Sequence, residues 1–124
     1  MLESAVRLDP RRPEARNMLG LGLARVGRTR EATEQFEAAL AARPDYASAR
    51  FNLANVLVKS GRLEEAIADF RQVLGGDPAN PVIRERLAAA LETRADALAE
   101  DGRRAEAEAL RKEAAALRGT GEAR

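Results

Sequence analysis

The side chains that most often do chemistry are missing from this sequence. It has no histidine and no cysteine, so imidazole acid–base catalysis, thiol attack and disulfide formation have no residue to work with. Glu64 with Glu65, and Glu106 with Glu108, are carboxylate pairs. Their setting reads as exposed helix surface, without the burial that would raise a pKa for proton transfer. No carboxylates cluster as a metal set, and no glycine-rich loop follows a strand to cradle a phosphate. We therefore expect no catalysis, no cofactor and no metal. What remains is recognition chemistry. Asn52 and Asn55 carry amides that donate and accept at once, as a peptide backbone does. Phe51 stands beside them. Arg16, Arg50 and Arg84 recur at intervals of 34 residues. That ladder either meets an acidic partner or lays its stems over the fold and pairs with nearby glutamates.

These residues sit in a sequence with a fixed period. Gly27, Ala32, Phe36, Leu40 and Pro44 return 34 residues later as Gly61, Ala66, Phe70, Leu74 and Pro78. A period of that length in a chain rich in Ala, Leu, Glu and Arg, all good helix formers, predicts stacked helical hairpins and an all-α fold. Hydrophobic residues make up 45% of the 124 and aromatics 3%, so the core must be aliphatic and alanine-rich. The formal net charge of +1 argues against a one-sign field for nucleic acid or a membrane surface. No apolar run is long enough to span a bilayer, so no direct membrane insertion is expected. The bias to Ala, Arg and Leu, with two lysines, is of the kind seen in GC-rich bacterial genomes.

The first complete repeat runs over 13–46. Pro13 opens it, with Ala15, Met18, Leu19, Gly22, Leu23 and Val26 as its first buried face. Gly27 stops that helix, Thr29 is the expected cap of the next, and Ala32, Gln35, Phe36, Ala39 and Leu40 form the second face. The second repeat covers 47–80. A third hairpin over 81–118 begins at Pro81, with Asn80 as N-cap. In the first two repeats the stopping glycine follows the helix leucine by 8 residues, Leu19 to Gly27 and Leu53 to Gly61. Here Gly102 follows Leu87 by 15. The extra heptad keeps the apolar face in phase and predicts a long, coiled-coil-like terminal hairpin. Residues 1–12 read as the second helix of a repeat whose first helix is missing, which suggests a piece of a longer array. Residues 119–124 read as a mobile polar tail.

The residues Leu19, Gly20, Gly27, Ala32, Phe36, Ala39 and Pro44 resemble the tetratricopeptide repeat signature. So do their second copies Leu53, Ala54, Gly61, Ala66, Phe70, Val73 and Pro78. The third hairpin keeps Leu87, Ala88, Gly102, Ala107 and Ala114, but Arg111 stands where the aromatic is expected, as in a degenerate terminal repeat.

The resemblance implies a right-handed α-solenoid, one array over 1–118, with first helices lining a concave groove for an extended peptide or a partner helix. On that pattern Asn17, Leu21, Ala24 and Arg25 line it from the first repeat. Phe51, Asn52, Asn55, Val58 and Lys59 line it from the second, and Glu85, Arg86, Ala89, Glu92 and Thr93 from the third. Asn52 and Asn55 are either peptide-holding amides or satisfied surface asparagines. Phe51 is either a ligand anchor or packing. The clamp that some relatives use on chaperone tails is not expected, since Leu21 and Val82 replace the asparagine and lysine it needs, although Asn52 and Arg86 fit.

The leading expectation is a non-catalytic protein-binding scaffold. Its rival is a homodimer or larger self-assembly, through Leu2 and Val6 at the open N-terminal half-repeat or through Leu98, Leu110 and Leu117 on the long hairpin. A third possibility is an accessory segment of a multidomain enzyme. The cytoplasm is the compartment this segment suggests first, with a parent protein that could be secreted or membrane-tethered.

Overall fold

A computed structural model describes residue 9 and residues 11–119. Among these are six helices and no strand: α1 Pro13–Arg25, α2 Thr29–Ala42, α3 Ala47–Lys59, α4 Leu63–Gly76, α5 Pro81–Glu100 and α6 Arg104–Arg118. They fall into two compact units divided between Arg62 and Leu63, with α1–α3 in the first and α4–α6 in the second. The half-repeat and tail expected at residues 1–8, at residue 10 and at 120–124, and with them Leu2 and Val6, lie outside the described residues.

Each first helix ends the same way. Gly27, Gly61 and Gly102 adopt φ of 84°, 80° and 82°, the left-handed region that only glycine enters without strain. The N–H of the residue after the glycine, three positions beyond the helix, then reaches back across the turn. Arg28 N donates to Leu23 O, Arg62 N to Leu57 O and Arg103 N to Leu98 O, each at 2.9 Å. After the first and third of these turns the arginine that follows the glycine also pairs with the glutamate three residues on. Arg28 meets Glu31 and Arg103 meets Glu106, each at 2.5 Å.

In the first unit α2 packs on both α1 and α3. Phe36, wholly buried, sits against Gly20 of α1, where an added Cβ would lie 2.5 Å from the ring. The small residue is therefore required by the aromatic. In the second unit α5 packs against both α4 and α6. α5 has 20 residues where α1 and α3 have 13, the 7 added residues being the heptad read from Leu87 and Gly102. The added turns close over a small cluster of Ala95, Leu98 and Ala107, with Ala99 and Leu110 against it.

Several local expectations need correction. Thr29 is not a cap. Arg28 holds that position with no capping side chain, and Thr29 is the first helical residue, its carbonyl accepting from the Thr33 hydroxyl at 3.0 Å. Met18 and Val26 are 40% and 70% exposed, so the buried stripe of α1 is narrower than its apolar residues suggest. Asn80 does cap α5, its Oδ1 accepting from Val82 N at 2.9 Å and Ile83 N at 3.2 Å.

The arginine ladder reaches neutral oxygens of the chain. Arg50 donates to the Pro44 carbonyl at 3.0 Å and Arg84 to the Pro78 carbonyl at 2.9 Å, while Arg16 donates to Gln35 at 3.0 Å.

Candidate protein-binding face

The candidate site in the first unit is built on α1 and α3, whose second turns are joined by amides. Asn17, 5% exposed, accepts through Oδ1 from Asn52 Nδ2 at 3.0 Å and directs its own Nδ2 to the Tyr46 hydroxyl at 3.4 Å. Tyr46 is half-buried in the loop before α3, with the Arg43 guanidinium 3.9 Å from its ring centre. A buried amide must find partners or forfeit its hydrogen bonds with water, and here two helices and a loop supply them. Asn17 is thus a strut that fixes α1 against α3, not a group free to meet a ligand as the sequence reading supposed.

Beyond this strut the other expected residues keep some solvent access. Leu21, Phe51, Asn52 and Asn55 are half-buried, and Arg25 and Lys59 are exposed. Val58 is 37% exposed. Asn52 has one amide hydrogen committed to Asn17, whereas Asn55 makes no side-chain hydrogen bond among the described residues. At the start of α1, Glu14 is held below the ordinary carboxylate value, first by backbone N–H donation at the helix start and then by Arg43 at 2.7 Å.

Tyr46 was not foreseen. The signal was present: it is the chain's one tyrosine, two residues past Pro44, and a tyrosine hydroxyl drawn into a fold usually finds a partner.

In the second unit three of the residues expected to face a ligand, Glu85, Glu92 and Thr93, are engaged by the chain itself. Arg118, at the end of α6, donates to both oxygens of Glu85 at 2.7 and 2.8 Å and also pairs with Glu92. Thr93 donates to the Ala89 carbonyl at 3.1 Å. Arg86 is exposed. Of the self-association candidates, Leu98 is 5% exposed and packed inside its own hairpin, and Leu110 leans on the same cluster, half-buried like Leu117. Leu98 is therefore consumed within the unit and is not a surface for a second copy.

Each of the two carboxylate pairs has a member in an ordinary ion pair. Glu64 meets Arg94 at 2.5 Å, and Arg103 holds Glu106 below its ordinary value. Among the described residues no three His, Cys, Asp or Glu side chains assemble as a metal site. No described helix is long and apolar enough to cross a membrane.

Repeated helical hairpins whose first helices each end at a left-handed glycine, the first of them wedged by Phe36 on Gly20, define a helical-repeat protein. The tetratricopeptide repeat family profile matches residues 17–81, more than half of the 124-residue chain, and the chain belongs to that family. A crystal structure of MamA is similar in fold, with a TM-score of 0.69 at 22% identity over 99% of this chain and 70% of that one. The structure MamA MSR-1 gives 0.68 at 25% over 97% and 65%. MamA AMB-1 gives 0.70 at 27% over 95% and 61%. The chain thus spans roughly two thirds of the MamA chains it resembles. Curated protein sequences give no match. The fold is that of a protein-interaction scaffold.

Proposed function

We propose that this chain is a non-catalytic segment that binds an extended peptide or a partner helix on the exposed face of α1 and α3. The observation that carries this reading is Asn55. Its amide has no partner among the described residues, and it lies one helical turn beyond Phe51 on a helix that the Asn17–Asn52 bond ties to α1. An amide held there pairs with a peptide backbone whatever its sequence, and the half-buried Phe51 and Leu21 offer apolar anchorage beside it. The reading of the chain as one array from residue 1 to 118 belongs to the same proposal.

The test is a pair of measurements. Sedimentation equilibrium over a wide concentration range should return a monomer, while a defined dimer would favour self-association. Binding of peptides selected from a random display library should fall at least about tenfold in a Phe51→Ala/Asn55→Ala double variant. Undiminished binding by a folded double variant refutes the α1–α3 face.

A further inference from the structure

The charges of the first unit are sorted by helix. α3 carries Arg50 and Lys59 and no carboxylate at all. α1 carries Arg16 and Arg25 against the single Glu14, whose charge is answered by Arg43. The helix between them reverses the balance, with Glu31, Glu34 and Glu37 against Arg30. Within α1 and α3, Arg16 and Arg50 are spoken for by Gln35 and the Pro44 carbonyl. Arg25 and Lys59 are different. They stand 34 residues apart, hence at equivalent places in successive repeats. Both are exposed, and neither has a hydrogen bond or ion pair among the described residues.

Each lies in the last turn of its helix, where a cation offsets the partial negative charge of the C-terminal carbonyls. That alone does not account for the placement. α2, α4 and α5 have no basic residue in their last turns, and the one in α6, Arg118, is bound to two glutamates. Among the described helices, only the two that present Leu21, Phe51 and Asn55 carry an unanswered cation at that end.

We infer that the segment bound on the α1–α3 face is acidic, with carboxylates meeting Arg25 and Lys59 while its backbone and apolar side chains use Asn55, Phe51 and Leu21. The inference rests on the proposed function above and adds the charge class of the partner. The two cations are solvent-exposed, so they act chiefly on partner selection and encounter rate, and their effect is screened by salt.

The experiment uses the full chain and fluorescein-labelled peptides of about 12 residues, long enough when extended to cross two neighbouring helices. All share one apolar frame and differ in carrying Glu, Gln or Lys at every polar position. Fluorescence anisotropy should rank them Glu over Gln over Lys, with the Glu series about tenfold tighter than Gln at low salt and the gap closing towards 1 M salt. Arg25→Glu/Lys59→Glu should invert the order, with circular dichroism confirming the fold.

If binding depends on Phe51 and Asn55 but the Gln or Lys series binds as well as Glu, the acidic partner is ruled out and the face stands. If the Glu series binds undiminished when both Phe51 and Asn55 are alanine, or if no series binds, the face itself is wrong and the inference goes with it. An unchanged order in the double charge reversal also overturns it.

Discussion

The hairpin of α1 and α2 and the hairpin of α5 and α6 obey the same rule of helix, left-handed glycine and helix, yet they are closed by different forces. In the first, a phenyl ring with no exposure is pressed against a glycine, and wholly buried Ala32 and Ala39 flank it on the same helix. In the second, Arg111 stands at the aromatic position and reaches outward to Asp96 at 3.0 Å. There α6 buries only two residues, Ala107 and Ala114. The closure passes to guanidinium groups. Arg118 grips Glu85 and Glu92, Arg71 of α4 meets Glu113 at 2.8 Å, and Arg84 donates to the Leu117 and Ala116 carbonyls at 2.9 and 3.4 Å. Burial is insensitive to salt and to mild acid. Exposed ion pairs yield to both, so one architecture holds two kinds of joint with different weaknesses.

The widest separation between the two should come from Phe36→Ala. Emptying a fully buried aromatic site should cost about 3–5 kcal/mol, read from urea unfolding, with loss of the cooperative transition if the first unit cannot stand alone. A cost below about 1 kcal/mol would show that the ring does not wedge α1 against α2.

Gly20→Ala should come next, at about 1–3 kcal/mol, because the new methyl meets the ring and neither can move far. The sign is what matters: in an open helix the same change should stabilise by about 1 kcal/mol. A gain in stability would mean that α1 and α2 have room to separate.

The smallest effect belongs to the terminal hairpin. The Glu85 carboxyl lies below its ordinary value of 4.5, chiefly because Arg118 donates to it. A depressed carboxylate stabilises the fold above that ordinary value and ceases to do so as the pH falls through the lowered one. Protection factors at the end of α6, taken relative to the intrinsic exchange rate at each pH, should therefore fall below about pH 4, and Arg118→Gln should lower them likewise at neutral pH with little change in the unfolding midpoint. Protection unaltered by both acid and the substitution would show that α6 is held by its alanines alone.

The architecture was legible because each of its rules is local. A stopping glycine needs only its own backbone, and the positive φ at Gly27, Gly61 and Gly102 follows from their places in the period. The heptad in α5 could be counted from Leu87 to Gly102, since adding two turns leaves every apolar residue on its face. The partners of polar groups were harder to foresee, because they are settled by residues far apart in sequence. Asn17 looked like a groove residue until Asn52, 35 positions on, and Tyr46, 29 positions on, were seen to claim it. Arg50 and Arg84 reach the carbonyls of Pro44 and Pro78, acceptors that every residue carries and that no sequence pattern singles out. Val26 failed for a different reason. Its hydrophobicity said buried, while its place at the helix end turned it to solvent.

The arginine-to-proline-carbonyl bond has a consequence for how such a chain can grow. Arg50 grips a carbonyl six positions back, and so does Arg84. The fastening begins and ends inside one stretch shorter than the repeat itself. A duplication of any 34-residue block that spans it copies the latch and the catch together, and a deletion removes both. Lengthening or shortening the array by whole units therefore leaves this fastening whole on either side of the splice, unlike the Asn17–Asn52 bond, which reaches across 35 positions.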